Sequence, residues 1–271
     1  MPELPEVETT RRGLEPVLKG QRIIRVIVRD RRLRWRLPAG FEASLTGRRI
    51  RTVGRRGKYL LIGTDAGTLI VHLGMSGSLR VVDPALAPVA HDHVDLILSS
   101  GRCVRFNDPR RFGCLLFVTG DPLAHPLLRA LGPEPLSDAF DADYLYARTR
   151  HRRVAIKQFL MNASVVVGVG NIYANEALFR ARLKPQRAAG GLRRDEAARL
   201  VTAIRRVLGA AIKVGGTTLR DYVNADGMPG YFRQKLYVYE RAGAPCRVCR
   251  TPIRQRVQGQ RSTYWCPSCQ R

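Results

Sequence analysis

PCRVCRTPIRQRVQGQRSTYWCPSC, residues 245–269, is the stretch that decides how the chain folds at its C-terminal end. Its cysteines form two C-x2-C pairs with 16 residues between them: Cys246, Cys249, Cys266 and Cys269. The two cysteines of a pair can ligate the same metal ion, and the segment between the pairs can form a hairpin that brings all four cysteines together. The spacing therefore predicts a tetrahedral Zn²⁺ site. Because four thiolates leave no open coordination position, we expect one structural zinc ion that takes no part in chemistry.

The charge of the chain points to a polyanionic partner. Its 271 residues include 47 Lys+Arg and 22 Asp+Glu, a net charge of +25. A compact protein this basic repels itself unless it works on a polyanion, which favours nucleic acid. The alternative is a general bias towards arginine, since lysine is rare. The chain has no apolar run of 18 residues and no secretory apolar region, so we expect a cytoplasmic protein without a membrane span.

The first 120 residues predict a helix followed by antiparallel strands. The helix is expected from about Pro5 to Lys19, with Gly20 as its stop. Short apolar or alternating runs separated by Gly and Pro predict a sandwich or barrel. Examples are RIIRVIVRD (22–30), KYLLIG (58–63), TLIVHLG (68–74), HVDLILS (93–99) and CLLFV (114–118). Cys103 and Cys114 lie in such runs and are expected in the core.

After about residue 120 the periodicity becomes helical, and the predicted fold class is therefore α+β. The helical stretches are HPLLRALG, YLYARTRHRRVAIKQFLM, NIYANEALFRARL and DEAARLVTAIRRVLGAAIKVGG. The expected domains are 1–130, an N-terminal helix with an antiparallel β-sandwich; 131–230, a helical domain; and 231–271, a zinc-ribbon β-hairpin. Residues 215–230 are rich in Gly, Thr and Asp and predict a loop.

Two segments have the composition of nucleic-acid contacts. In NDPRRFG (107–113), Asn-Asp-Pro sets a turn that places Arg110 and Phe112 at a tip between strands, where an aromatic ring can enter a base step. HLGMSG (72–77) holds Met75 between glycines at a strand end, although a lone methionine is more often a core residue.

In VVVGVGNIYANE (165–176), Gly168 and Gly170 precede a helix that we expect Asn171 to cap. Free N–H groups at a helix start favour phosphate, so a grip on the DNA backbone is one interpretation and a plain glycine turn is the other.

The N-terminus, MPELPEVETT, allows a structural and a chemical interpretation. Proline and glutamate are common in first helical turns. A small second residue also favours removal of Met1, which would make Pro2 a secondary amine at the N-terminus with Glu3 beside it. Neither Pro2 nor Glu3 alone decides between the two.

Taken together and in order, these motifs closely resemble the bacterial formamidopyrimidine-DNA glycosylases, which excise 8-oxoguanine and ring-opened purines. The resemblance covers essentially the whole chain. It rests on MPELPEVETTRRGL, GRRGKYL, HLGMSGSLR, HDHVDLIL, NDPRRFG, VVGVGNIYANEALF, GGTTLRDYVNADGMPGYF and PCRVC…RSTYWCPSCQ. One departure is Asn162, where an acidic residue is more usual, and we expect little consequence.

The resemblance implies a base-excision glycosylase that is also a lyase for abasic sites. Pro2 would attack C1′ of the damaged nucleoside and form a Schiff base, and Glu3 would shuttle protons. Lys58 would transfer protons or bind phosphate. Arg261 would act in the later elimination, and we interpret it as a phosphate clamp because a guanidinium scarcely gives up its proton. The strand would be cut on both sides by β- and δ-elimination.

The resemblance also implies a helix–two-turn–helix domain and a set of contacts to double-stranded DNA. Met75, Arg110 and Phe112 would replace the extruded base. His91, Arg152 and Asn171 would contact the backbone, and the 217–230 loop would cover the flipped base. A monomer that works at the nucleoid is expected.

Two alternatives remain open at this point. The related endonuclease VIII branch removes oxidised pyrimidines but usually begins PEGPE, whereas Leu4 stands here in place of that glycine. The other alternative is a non-catalytic protein that binds damaged DNA, which would be expected if Pro2, Glu3 or Lys58 were replaced. All three are present.

Overall fold

The computed structural model describes residues 2–216 and 236–271. These residues fold as two compact units. The first contains residues 2–129 and 214–216, and the second contains residues 130–213 and 236–271. No helix within the described ranges is long and apolar enough to cross a membrane.

The first helix, α1, spans Leu4–Leu18 and agrees with the predicted helix to within one residue at each end. Its start is closed by Glu6, whose carboxylate Oε2 accepts the Glu3 N–H at 2.8 Å. This hydrogen bond to an early glutamate satisfies a backbone N–H that the helix itself leaves unpaired. The apolar stripe of α1 is buried in the core of the first unit.

Two four-stranded antiparallel sheets follow α1 in the first unit and confirm the predicted sandwich. One has the order β1-β6-β7-β5 and the other β2-β3-β4-β8. The strands are β1 Ile23–Val28, β2 Ile50–Arg56, β3 Tyr59–Thr64, β4 Thr68–His72, β5 Ser78–Val82, β6 Asp92–Leu98, β7 Cys103–Asn107 and β8 Cys114–Val118. Short helices α2 (Phe41–Leu45) and α3 (Pro126–Arg129) complete the unit.

One apolar core joins both sheets and α1. The predicted core positions Cys103 and Cys114 are both buried. Burial is the main cause that raises the pKa of each thiol to about 11, so both thiols are protonated near neutral pH.

The second unit is helical and ends in the predicted hairpin. Its helices are α4 Ala142–Thr149, α5 Ile156–Leu160, α6 Asn171–Arg180 and α7 Arg194–Lys213, and its strands are β9 Arg254–Gln258 and β10 Arg261–Trp265. The stretch 144–161, helical by periodicity, is interrupted between α4 and α5. His151 there has a φ of 60°, a left-handed conformation that a continuous helix does not allow.

The start of α6 corrects one expectation. Asn171 is the first helical residue, not the N-cap. Gly170 takes the cap position with an extended backbone, φ −118° and ψ −156°, and no side chain caps the helix. Glycine is accepted at an N-cap, and the preceding Gly168 supplies the turn with a φ of 85°.

Candidate active site and nucleic-acid interface

Pro2 and Glu3 lie at the start of α1, in the first unit. Both are buried, with Glu3 only 2 % exposed. The bond from the Glu3 N–H to the Glu6 carboxylate fixes the peptide that directly follows the Pro2 ring. The positive end of the helix dipole also lies here, where it favours negative charge. The predicted nucleophile is therefore followed by a fixed backbone and by two carboxylates, at Glu3 and Glu6.

Lys58 lies in the two-residue turn between β2 and β3, since Arg56 pairs with Tyr59. This turn is braced from α1. Arg55 donates from Nε to Oε2 of Glu8 at 3.1 Å and from Nη1 to the Gly57 carbonyl at 2.9 Å. The brace thus connects the helix that carries Pro2 with the turn that carries Lys58, within one unit.

The Glu8 carboxylate at the centre of this brace is charged throughout the physiological range. Burial raises its pKa, but hydrogen bonds from Arg11, Arg12 and Arg55 outweigh that effect and lower the pKa to about 2. Neither Glu8 nor Arg55 was singled out in the sequence, because their contact joins residues 47 positions apart.

The predicted DNA contacts of the first unit lie on connections between strands. Arg110 and Phe112 stand in the 107–113 turn between β7 and β8, and Phe112 is 44 % exposed. The Arg110 guanidinium lies 5.0 Å from the centre of the Phe112 ring. Met75 lies between β4 and β5, half-buried, and His91 is exposed just before β6. An exposed aromatic under a guanidinium is a surface suited to bases.

Asp108 connects two of these loops, although the sequence suggested only a bend there. Its Oδ1 accepts from the Ser76 hydroxyl at 3.0 Å, and its Oδ2 accepts from the Gly113 N–H at 2.7 Å. Ser76 Oγ in turn accepts the Arg110 N–H at 3.3 Å. An Asp before a proline in a turn signals a side chain that accepts from nearby N–H groups, and that signal identifies Asp108 but not its distant partner.

His72, at the end of β4, holds the beginning of the Met75 loop. Its Nδ1 accepts the Gly74 N–H at 3.0 Å, which requires the neutral ring. Burial, together with the positive charges of Lys58 and Arg34, lowers the pKa of His72 to about 4. The imidazole is therefore neutral at physiological pH and remains an acceptor.

In the second unit, the predicted contacts Arg152, Asn171 and Arg261 come from three different elements. Arg152 is exposed between α4 and α5, Asn171 is half-buried at the start of α6, and Arg261 is exposed at the start of β10. Gly259 and Gln260, both with positive φ, form a two-residue turn that puts Arg261 at the hairpin tip.

The hairpin is fastened to α5 and α6. The buried Lys157 donates from Nζ to the Ser262 carbonyl at 2.9 Å and to Thr263 Oγ1 at 2.7 Å. Asn175 accepts the Tyr264 N–H at 2.8 Å. No local sequence pattern identifies the partners of Lys157, which lie 105 and 106 residues away in the chain.

The four predicted zinc ligands lie together. Their sulfur atoms are all within 4.8 Å of one another, and three pairs are 3.3–4.0 Å apart. A tetrahedral Zn²⁺ with Zn–S bonds of about 2.3 Å separates its ligand sulfurs by about 3.8 Å. The donor set fits a single structural zinc ion, as the sequence predicted.

Comparison with known proteins gives matches over the full chain. Residues 1–115 match the formamidopyrimidine-DNA glycosylase N-terminal domain, 131–223 its H2TH domain, and 243–271 a zinc finger found in FPG and IleRS. A formamidopyrimidine-DNA glycosylase of Thioalkalivibrio sulfidiphilus is 62 % identical over 271 residues, 100 % of both chains. One from Methylococcus capsulatus is 58 % identical over 100 % of both chains.

Solved structures show the same fold. The MutM (Fpg) protein of Thermus thermophilus aligns with a TM-score of 0.89 and 45 % identity, covering 99 % of this chain and 98 % of the other. A complex between Lactococcus lactis Fpg and DNA containing an abasic site aligns with a TM-score of 0.92 and 34 % identity, covering 99 % of each chain.

Proposed function

Since the chain belongs to the formamidopyrimidine-DNA glycosylase family, we propose that it excises oxidised purines from duplex DNA with Pro2 as the nucleophile. The full-length match at 62 % identity carries this proposal, together with the Pro2–Glu3 pair at a fixed helix start. The protein is a base-excision DNA glycosylase, and abasic-site lyase activity is typical of its family.

The chemistry begins at the Pro2 nitrogen after Met1 is removed; Met1 lies outside the described residues. The neutral amine attacks C1′, and the damaged base leaves with its bonding electrons and takes up a proton. Glu3 protonates the sugar ring oxygen as the ring opens. A secondary amine then yields an iminium ion, which is cationic without further protonation and withdraws electrons from the sugar. β-Elimination breaks the bond between C3′ and its phosphate oxygen, and δ-elimination breaks the bond between C5′ and its phosphate oxygen.

Lys58 and Arg261 act on the phosphates and protons of this sequence. Lys58, in the braced turn of the first unit, shuttles a proton or holds a phosphate. Arg261, at the exposed hairpin tip, clamps the phosphate during the later elimination. Cys246, Cys249, Cys266 and Cys269 would hold a zinc ion that stabilises the hairpin fold. Four thiolates leave no coordination position for substrate, so the ion would take no part in the chemistry.

The DNA contacts divide into two groups by their chemistry. Met75, Arg110 and Phe112, called the wedge residues below, fill the space of the extruded base and meet the opposite cytosine. His91, Arg152 and Asn171 contact backbone phosphates, which position the duplex without reading its sequence. The 217–230 cover over the flipped base lies outside the described residues.

The assembly and the location follow from the same proposal. The protein works in the bacterial cytoplasm on nucleoid DNA as a monomer, with the three domains 1–130, 131–230 and 231–271. Sedimentation of the full chain tests the monomer, which should move as one species near 30.4 kDa.

A panel of duplexes distinguishes this proposal from the pyrimidine alternative. The same amount of enzyme is given an 8-oxoguanine:cytosine duplex, a ring-opened guanine duplex, a thymine-glycol duplex and an undamaged duplex. Faster excision of the two purine lesions supports the proposal. Preference for thymine glycol would assign the chain to the endonuclease VIII branch. Tight binding to all damaged duplexes without excision would indicate a binding protein.

A further inference from the structure

Every polar group of Asp108 is used to hold a predicted DNA-contact segment. The carboxylate bridges Ser76 and Gly113, as described above. Its backbone N–H donates to the His91 carbonyl at 3.1 Å, and its carbonyl accepts from the Arg111 N–H at 3.2 Å. The side chain is fully buried at 0 % exposure. A carboxylate buried to this extent is costly unless each lone pair is satisfied.

Steric contact reinforces the hydrogen bonds between the two loops. A Cβ atom built on Gly74 would lie 2.5 Å from the Gly113 nitrogen and 2.5 Å from the Phe112 carbonyl carbon. One built on Gly113 would lie 2.7 Å from the His72 carbonyl oxygen. The 72–77 and 107–113 loops therefore touch backbone to backbone, and only glycine fits at the contact.

The base of this assembly is fixed, whereas its tips face solvent. Arg110 and Phe112 are exposed, but the residues that carry the contact between the loops, Ser76, Asp108 and Gly113, are buried. A wedge works against the stacking of the base step that it opens, so its side chains must not move relative to one another. Residues that support a site are as important to its geometry as those that touch the ligand.

We propose that Asp108 is a positioning residue that fixes Met75 relative to Arg110 and Phe112, so that the three side chains enter the DNA as one rigid wedge. This inference rests on the proposed role of the wedge residues and assigns Asp108 to extrusion of the damaged base. Asp108 contributes nothing to the sugar chemistry, which follows extrusion and uses α1 and Lys58.

Three variants separate the parts of the contact. Ser76→Ala removes one hydroxyl and hence its two hydrogen bonds to the 107–113 loop, with little change in volume. Asp108→Ala removes both side-chain acceptors. Asp108→Asn keeps the bridge, because its oxygen accepts from Gly113 and its amide donates to Ser76 Oγ. Asp95→Asn is the matched control, since Asp95 is a buried carboxylate in β6 that pairs with Arg29 and Arg105 instead.

Each variant is measured on two substrates under single-turnover conditions. A duplex with 8-oxoguanine requires extrusion of a base, whereas a duplex with a preformed abasic site does not. We expect Asp108→Ala to slow excision about 100-fold, because a misplacement of the wedge residues by about 1 Å costs a factor of this size. Ser76→Ala removes fewer hydrogen bonds and should slow excision about tenfold. The cleavage rate of the abasic duplex should change far less in both variants. Asp108→Asn recovers most of the excision rate, and Asp95→Asn lowers the melting temperature without changing the ratio of the two rates.

A fluorescent base reports the wedge directly. 2-Aminopurine beside the lesion brightens when it is unstacked. The rise should be slower in Ser76→Ala than in the unsubstituted protein, at a temperature where melting curves show that both are folded. Phe112→Ala distinguishes the proposed role of the wedge residues from the proposed positioning role of Asp108. If Phe112→Ala slows the rise and Ser76→Ala does not, the positioning role is wrong and the wedge role stands. If neither has an effect, both are wrong. Should Asp108→Ala fail to fold, Ser76→Ala decides.

Discussion

Lys157 and Thr263, 106 residues apart in the chain, are joined by a hydrogen bond of 2.7 Å from Nζ to Oγ1. The same ammonium group donates to the carbonyl of Ser262, the residue that follows Arg261. Lys157 is fully buried, at 0 % exposure. It lies on α5 and contacts the residues of β10 that directly follow the hairpin tip. One buried cation thus fixes the strand that starts with the predicted phosphate clamp.

Replacing Lys157 by methionine keeps most of the side-chain volume and removes these bonds. The Ser262 carbonyl loses a charged donor, and Arg261 is no longer held at a fixed place. We expect δ-elimination on an abasic duplex to fall by about tenfold or more, with β-elimination less affected. The product ratio on a denaturing gel measures this. Lys184→Met, at an exposed lysine of the same unit, is the control, and an unchanged product ratio in Lys157→Met would contradict the account.

Glu176 holds the segment before the zinc hairpin to α6. Its buried carboxylate accepts from the backbone N–H groups of Tyr237, Val238 and Tyr239 at 2.9–3.0 Å. Glu176→Ala leaves these three donors without their acceptor. Each unsatisfied buried donor costs about 1–3 kcal/mol, so we expect a loss of about 3–5 kcal/mol in unfolding free energy of the second unit. Asp143→Ala breaks the exposed ion pair with Arg194 and should cost less than about 1 kcal/mol. Equal costs in urea titrations would show that the buried carboxylate has no special role.

Zinc removal tests whether the metal is structural. In Cys249→Ser the bound zinc should fall well below one per chain, because the tetrahedral thiolate set is broken. DNA cleavage should fall with it, since the hairpin that carries Arg261 loses its fold. Metal analysis and cleavage assays on the same preparation measure both. A zinc-free protein that cuts damaged DNA at the normal rate would refute the structural role.

His72 makes stability depend on pH in a defined window. Its pKa is about 4 in the folded protein, below the ordinary value of 6.5, so between these values the unfolded chain binds the proton and the folded protein does not. Stability therefore falls as pH decreases from about 6.5 towards 4, by about 2 kcal/mol at pH 5. His72→Asn keeps an acceptor for Gly74 but cannot titrate. The loss between pH 7 and pH 5 in urea unfolding should be smaller in this variant, and an equal loss would exclude His72 as its source.

The sequence revealed features whose signals are local. The C-x2-C pairs, the turn at 107–113 and the start of α1 each depend on a few neighbouring residues, and the structure places all three as predicted. The run that begins at Cys103 was predicted to be strand-like, and it forms β7 although Arg105 interrupts its apolar pattern. That arginine is only 1 % exposed and is neutralised by Asp95 in the neighbouring strand, a pairing that exists only once the sheet has formed.

The supporting contacts of the site could not be predicted for the same reason. Asp108 meets Ser76 across 32 residues, and Lys157 meets Thr263 across 106. No local pattern identifies which polar group will satisfy another after folding. Sequence therefore indicated which side chains are suited to chemistry, and the structure adds the residues that hold them in place.

The identity of the nucleophile is tested most directly by borohydride trapping. The processed protein is incubated with an 8-oxoguanine:cytosine duplex and sodium borohydride, which reduces the iminium to a stable amine, and the cross-linked peptide is sequenced by mass spectrometry. We expect a single cross-link at the Pro2 nitrogen and none in a protein that retains Met1. A cross-link at Lys58 or another lysine, or excision with no trapped species, would contradict this expectation.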